Sequence, residues 1–74
     1  MIDSVGIGIR IHNMRTAYGW SGVFMADKLG IDQSYLSKIE RGKHCPNLKL
    51  LVTIAILLDV SLDWLVFGGV PDAR

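Results

Sequence analysis

Gln33, Ser34, Ser37, Lys38 and Arg41 fall within one stretch, GIDQSYLSKIERGK at residues 30–43, of a chain in which half the residues are hydrophobic. If the stretch is helical, spacings of three and four residues gather them on one side, while Ile31, Tyr35, Leu36 and Ile39 form an apolar stripe on the other. The outward side is then built from hydrogen-bonding groups, where an ordinary solvated helix carries long charges of alternating sign. Base edges match these groups: Gln bonds adenine through N6 and N7, Lys reaches guanine O6 and N7, and Ser bonds several edges. Spacing alone fits a wet helix face as well as it fits a surface that reads bases.

The other reactive side chains form no catalytic set. His12, His44, Cys45 and the scattered aspartates offer no nucleophile, base and orienting group in combination, so no enzyme activity is expected. They also lack metal-ligand spacing, and neither a metal nor another cofactor is expected. Cys45 is the sole cysteine, which rules out an intrachain disulfide and points to a reducing, cytoplasmic setting. The longest apolar run, LLVTIAILL at residues 50–58, is too short for a membrane span of roughly 20 residues, and no membrane partner is expected.

The elements that must position the polar stretch read as helices throughout, since no segment alternates with period two. The first spans 4–18, with Ile7, Ile11, Met14 and Tyr18 on its inner face. Ser21 caps a second at 22–29, where Met25, Ala26 and Leu29 face inward and Gly30 stops the helix. Asp32 caps a third at 33–41. Pro46 and Asn47 open a fourth at 48–58, and Ser61 caps a short fifth ending at Gly68 and Gly69. The remaining residues read as a frayed tail, giving one domain at 1–68 and a tail at 69–74. The fold class is therefore all-α, with five helices.

Seventy-four residues leave no room for a second, ligand-sensing domain, so no small-molecule ligand is expected. The net charge of +1 decides nothing, but its placement is uneven: Lys28, Lys38, Arg41, Lys43 and Lys49 face only Asp32 and Glu40 in the middle of the chain. A mean hydropathy of +0.34 is high for so small a chain and implies apolar surface covered by a partner. The fourth helix is the place to look. Leu48, Leu51, Ile54, Ala55 and Leu58 fill its core side, Leu50 and Leu57 lie on one flank, and Val52 and Ile56 lie on the other. Those four flanking residues are the expected contacts of a homodimer.

Two helices joined by the short turn Leu29-Gly30-Ile31-Asp32 have helix-turn-helix geometry, in which the second helix enters the major groove with its N-terminal residues deepest. In the strings IGIRIHNMR, GWS, ADKLGIDQSYLSKIERGK and PNLKLLVTIAILLDVSLDWLVFG, the chain resembles the Cro/C1-type (XRE-like) helix-turn-helix domains of phage repressors and small bacterial regulators. The resemblance covers residues 7–68. It implies a compact five-helix, lambda-repressor-like domain that binds double-stranded operator DNA as a dimer. By the same resemblance Gln33, Ser34 and Lys38 match base-reading positions. Arg41 and Lys43 match positions that touch phosphate, and Arg15 and Glu40 match an ion pair bridging the first and third helices. One departure stands out: the family has Gln just after the cap of the second helix, and this chain has Gly22. What remains there to hold a phosphate is the Ser21 hydroxyl and the helix N-terminus at Gly22.

A sequence-specific transcription regulator, acting as a homodimer on a symmetric operator, is the leading expectation. The alternative is a protein-interaction module that keeps the fold without binding DNA; Gly22 and the surplus apolar residues favour it, and the intact GIDQSYLSKIERGK disfavours it.

Overall fold

Serine, asparagine and glycine punctuate the chain into short helices because each supplies what a helix end lacks: a side-chain acceptor at the start or a left-handed residue at the finish. The computed structural model describes residues 2–69 and contains α1 (Ser4–Ala17), α2 (Gly22–Leu29), α3 (Gln33–Glu40), α4 (Leu48–Leu58) and α5 (Leu62–Phe67). The side chains of Ser21, Asn47 and Ser61 accept the N–H of Phe24, Leu50 and Trp64 at 3.0, 2.9 and 3.0 Å. Asp32 occupies the N-cap position of α3, but its side chain accepts no helical N–H. α1 and α3 each end one residue earlier than expected, with Tyr18 and Arg41 as their C-caps. Residues 70–74, most of the expected tail, lie outside the described residues.

Ile7, Ile11, Met25, Leu36, Ile39, Ile54, Leu58 and Leu65 are buried to 1% exposure or less and come from all five helices. Each is worth about 1.5–3 kcal/mol over an exposed side chain, so the core rather than local propensity holds these short helices in place. α1 packs on α3 and α5, α2 on α3, and α4 on α5. The α1–α3 contact is made through backbone: a Cβ on the buried Gly8 would stand 2.6 Å from the Glu40 carbonyl oxygen and would also strike that of Ile39. Glycine is required there by close approach, and the C-terminal end of α3 is thereby seated on α1.

Two residues assigned to the core sit elsewhere. Leu48 is 67% exposed, because it opens α4 a full turn before Leu51, the first α4 side chain to enter the core. Tyr18 is half-exposed at the end of α1, its ring stacked on Trp20 at 4.7 Å while its hydroxyl donates to the Leu58 carbonyl at 2.7 Å. An amphipathic ring with a polar tip suits such a position better than the dry interior.

Candidate nucleic-acid interface

The bend between α2 and α3 depends on Gly30, whose φ of 71° is left-handed and costs an L-residue about 1–2 kcal/mol. There the chain reverses while the N–H of Gly30 donates to Asp27 and that of Ile31 to Ala26, at 3.1 and 3.0 Å. α3 then sinks Leu36 and Ile39 into the core and leaves Gln33, Ser34, Ser37 and Lys38 exposed. The start of α2 adjoins the start of α3: a Cβ on Gly22 would lie 3.6 Å from Gln33 Nε2. Ser21, Gly22, Gln33 and Ser34 thus share one end of the two-helix unit. At the other end the chain turns at Gly42, and the Lys43 N–H closes back on the Lys38 carbonyl at 2.9 Å. Arg41, the C-cap of α3, and Lys43 lie on either side of Gly42 and are exposed.

Behind α3 lies an ionic cluster. Arg15 Nε donates to Glu40 Oε2 at 2.7 Å and its Nη2 to Oε1 at 3.0 Å, while Nη1 donates to the Trp20 carbonyl at 2.7 Å. One guanidinium therefore ties the end of α1 to α3 and to the approach to α2. Both side chains are largely enclosed, Arg15 at 14% and Glu40 at 9% exposure. Burial works to raise the Glu40 carboxyl, but hydrogen bonds and charge from Arg15, with His12 adding to them, hold it below its ordinary value. The Glu40 hydrogen bond in turn raises Arg15, against the desolvation that would lower it.

Sequence reasoning missed two members of this framework. His12 Nδ1 lies 2.8 Å from Glu40 Oε1, and Arg10 donates to the Leu65 and Val66 carbonyls at 2.8 and 2.9 Å, satisfying the end of α5. His12 carried a usable signal in the sequence, since it lies three residues before Arg15 and hence on the same helix face. Arg10 carried none, because its acceptors are backbone carbonyls more than fifty residues away.

On α4 the four flanking residues separate. Leu50 and Leu57 are half-buried and pack against the core, whereas Val52 and Ile56 are exposed, at 39% and 74%. Leu48 joins the exposed pair at spacings of four residues, making one apolar stripe along the helix. No helix among the described residues is long and apolar enough to cross a membrane.

The helix-turn-helix family model HTH_3 matches residues 11–65. The chain is 43% identical over 61 residues to the prophage-derived HTH-type transcriptional regulator YonR of Bacillus subtilis, covering 82% of this chain and 56% of that protein; it thus spans about half the length of this curated relative. Among solved structures it is similar to the restriction-modification controller protein C.AhdI of Aeromonas hydrophila, at 35% identity and a TM-score of 0.78 over 85% of this chain and 96% of that one. It is also similar to SinR, the master regulator for biofilm formation, in complex with DNA, at 40% identity and a TM-score of 0.73 over 80% of this chain and 95% of that one. With the matched family segment running from Ile11 on α1 to Leu65 on α5 and taking in the whole two-helix unit, the chain belongs to the HTH_3, or Cro/C1-type (XRE), family of helix-turn-helix transcription regulators.

Proposed function

We propose that the protein is a sequence-specific DNA-binding regulator of repressor or controller type that occupies a symmetric operator as a homodimer. The observation that carries this reading is the bare face of α3, where Gln33, Ser34 and Lys38 are exposed on a helix fixed from behind by Leu36, Ile39 and the Gly8 contact. In the major groove these three read base edges. Ser21 and the α2 start at Gly22 anchor phosphate at one end, and Arg41 and Lys43 anchor it at the other. Arg15 and Glu40 are scaffolding in this scheme: they orient α3 and touch no base.

The second copy docks on the exposed α4 stripe. Leu48, Val52 and Ile56 present apolar surface that the domain's own core does not use. A two-fold contact there leaves both α3 helices free to enter successive major grooves about 34 Å apart. Leu50 and Leu57, half-buried against the core, flank the stripe and offer the partner only their remaining exposed surface.

The test is a gel shift with the DNA upstream of the protein's own gene, searched for an inverted repeat. Cooperative binding to the repeat, abolished when one half-site is scrambled, is the expected result. Equal affinity for the repeat and for scrambled DNA overturns the sequence-specific reading.

A further inference from the structure

A shallow groove runs between α1 and α3, lined by Ile9, His12 and Asn13 on one side and by Ser37 and Arg41 on the other, with Glu40 also lining it. His12 is about half-exposed in it, and its Nδ1 lies 2.8 Å from Glu40 Oε1. A carboxylate only accepts, so the ring proton sits on Nδ1, and the 3.2 Å approach of Arg15 Nη2 to the same nitrogen is not a hydrogen bond in this tautomer. Nε2 is then the free nitrogen. In the neutral ring it is an acceptor, which repels a phosphate oxygen; in the protonated ring it is an N–H donor carrying positive charge.

The charged groups around His12 are Arg15 on its own helix and Glu40 and Arg41 on α3. Arg15 and Glu40 neutralise one another, so Arg41 is the standing charge and a protonated His12 doubles it. Ser37 supplies a hydroxyl on the same wall, one turn along α3 from Gln33. We propose that this groove is a backbone-phosphate seat made complete by protonation of His12, so that DNA binding by the protein is coupled to proton uptake. The proposal rests on the DNA-binding reading above and adds a residue and a pH dependence to it.

The experiment measures affinity for a mixed-sequence duplex of about 30 base pairs at constant ionic strength between about pH 8 and 5.5, because a phosphate contact is indifferent to sequence. Wild type is expected to tighten as pH falls, by up to about tenfold per pH unit for each seat filled. His12→Gln, which retains a donor for Glu40, gives a flat profile at the weak limit; His12→Lys gives a flat profile at the tight limit. His44→Gln, which alters the only other histidine, keeps the wild-type slope. A His12→Gln protein with the wild-type slope overturns the seat while leaving DNA binding intact. In a parallel NMR titration, His12 ring resonances that shift with inorganic phosphate but not with duplex overturn it too. Absence of duplex binding by every variant at every pH overturns both the seat and the DNA reading.

Discussion

α3 and α4 bury one side in the same core and leave the other bare, yet only the bare side of α4 carries an apolar stripe. α3 shows Gln33, Ser34, Ser37 and Lys38; α4 shows the apolar stripe Leu48, Val52 and Ile56, with Lys49 and Thr53 exposed beside it. Exposure is common to both, so exposure alone says nothing about role. Hydrogen-bonding groups on a rigid helix suit a partner with its own fixed donors and acceptors, whereas an apolar stripe loses free energy to water and gains it against another apolar surface. The supports differ as well. α4 is held by apolar side chains, while α3 is also held by an ion pair and by direct backbone contact at Gly8. The added constraint suits the base-reading role proposed for α3, since a displacement of an ångström breaks a hydrogen bond but barely alters apolar contact.

The largest expected effect comes from removing the support of α3. Glu40→Ala leaves the enclosed Arg15 without its counter-ion, with only the Trp20 carbonyl to accept from it, and should destabilise the domain by about 3 kcal/mol, whereas the Arg15→Ala/Glu40→Ala double mutant should cost less than the sum of the singles. Urea unfolding of the four proteins measures this, and simple additivity breaks the idea of a coupled support. Acid should act in the same direction. The Glu40 carboxyl is held below its ordinary value of 4.5, so its contribution is fully present above that pH and is lost as pH falls through the lower, folded-state value. Wild type should therefore lose urea stability more steeply below about pH 4.5 than the double mutant does.

Next in size is the α4 stripe. Ile56→Glu places a charge in the proposed dimer contact without touching the core and should weaken self-association by at least about tenfold, roughly 1.4 kcal/mol, while the monomer keeps its helical circular dichroism. Sedimentation equilibrium decides; wild type running as a monomer at micromolar concentration sinks the dimer. Leu57→Glu is a poorer probe, because Leu57 packs against the core and its replacement confuses dissociation with unfolding.

Smaller effects separate the two kinds of contact on and beyond α3. Lys38→Ala should cost about 1–3 kcal/mol at the preferred operator and relax preference at one base position. Arg41→Ala should cost less, weaken all sequences about equally, and reduce the slope of log affinity against log salt by about one. Titrations over single-base operator variants at several salt concentrations test both at once. A Lys38→Ala protein with an unchanged base preference removes Lys38 from the proposed base-reading residues.

Much of this architecture is legible in the sequence because its determinants are local. The Ser21, Asn47 and Ser61 caps, the Gly30 turn and the Leu36–Ile39 stripe each operate within a few residues, so spacing and residue type were enough to place five helices and the outward face of α3. The family resemblance supplied the Arg15–Glu40 correspondence, which no local pattern specifies. Tertiary structure decided the rest. Helical periodicity gives the angle of a side chain about its axis but not whether a neighbour stands opposite at that height, which is why Leu48 is on the surface and Leu57 is half-covered. Contacts between distant segments, Arg10 on the end of α5, Tyr18 on Leu58 and His12 on Glu40, exist only once packing has fixed the helices against one another. Gly8 shows the physical reason most plainly: in the sequence it is a poor helix former inside a helix, and only the arrival of α3 against α1 turns the missing side chain into the feature that lets the two backbones meet.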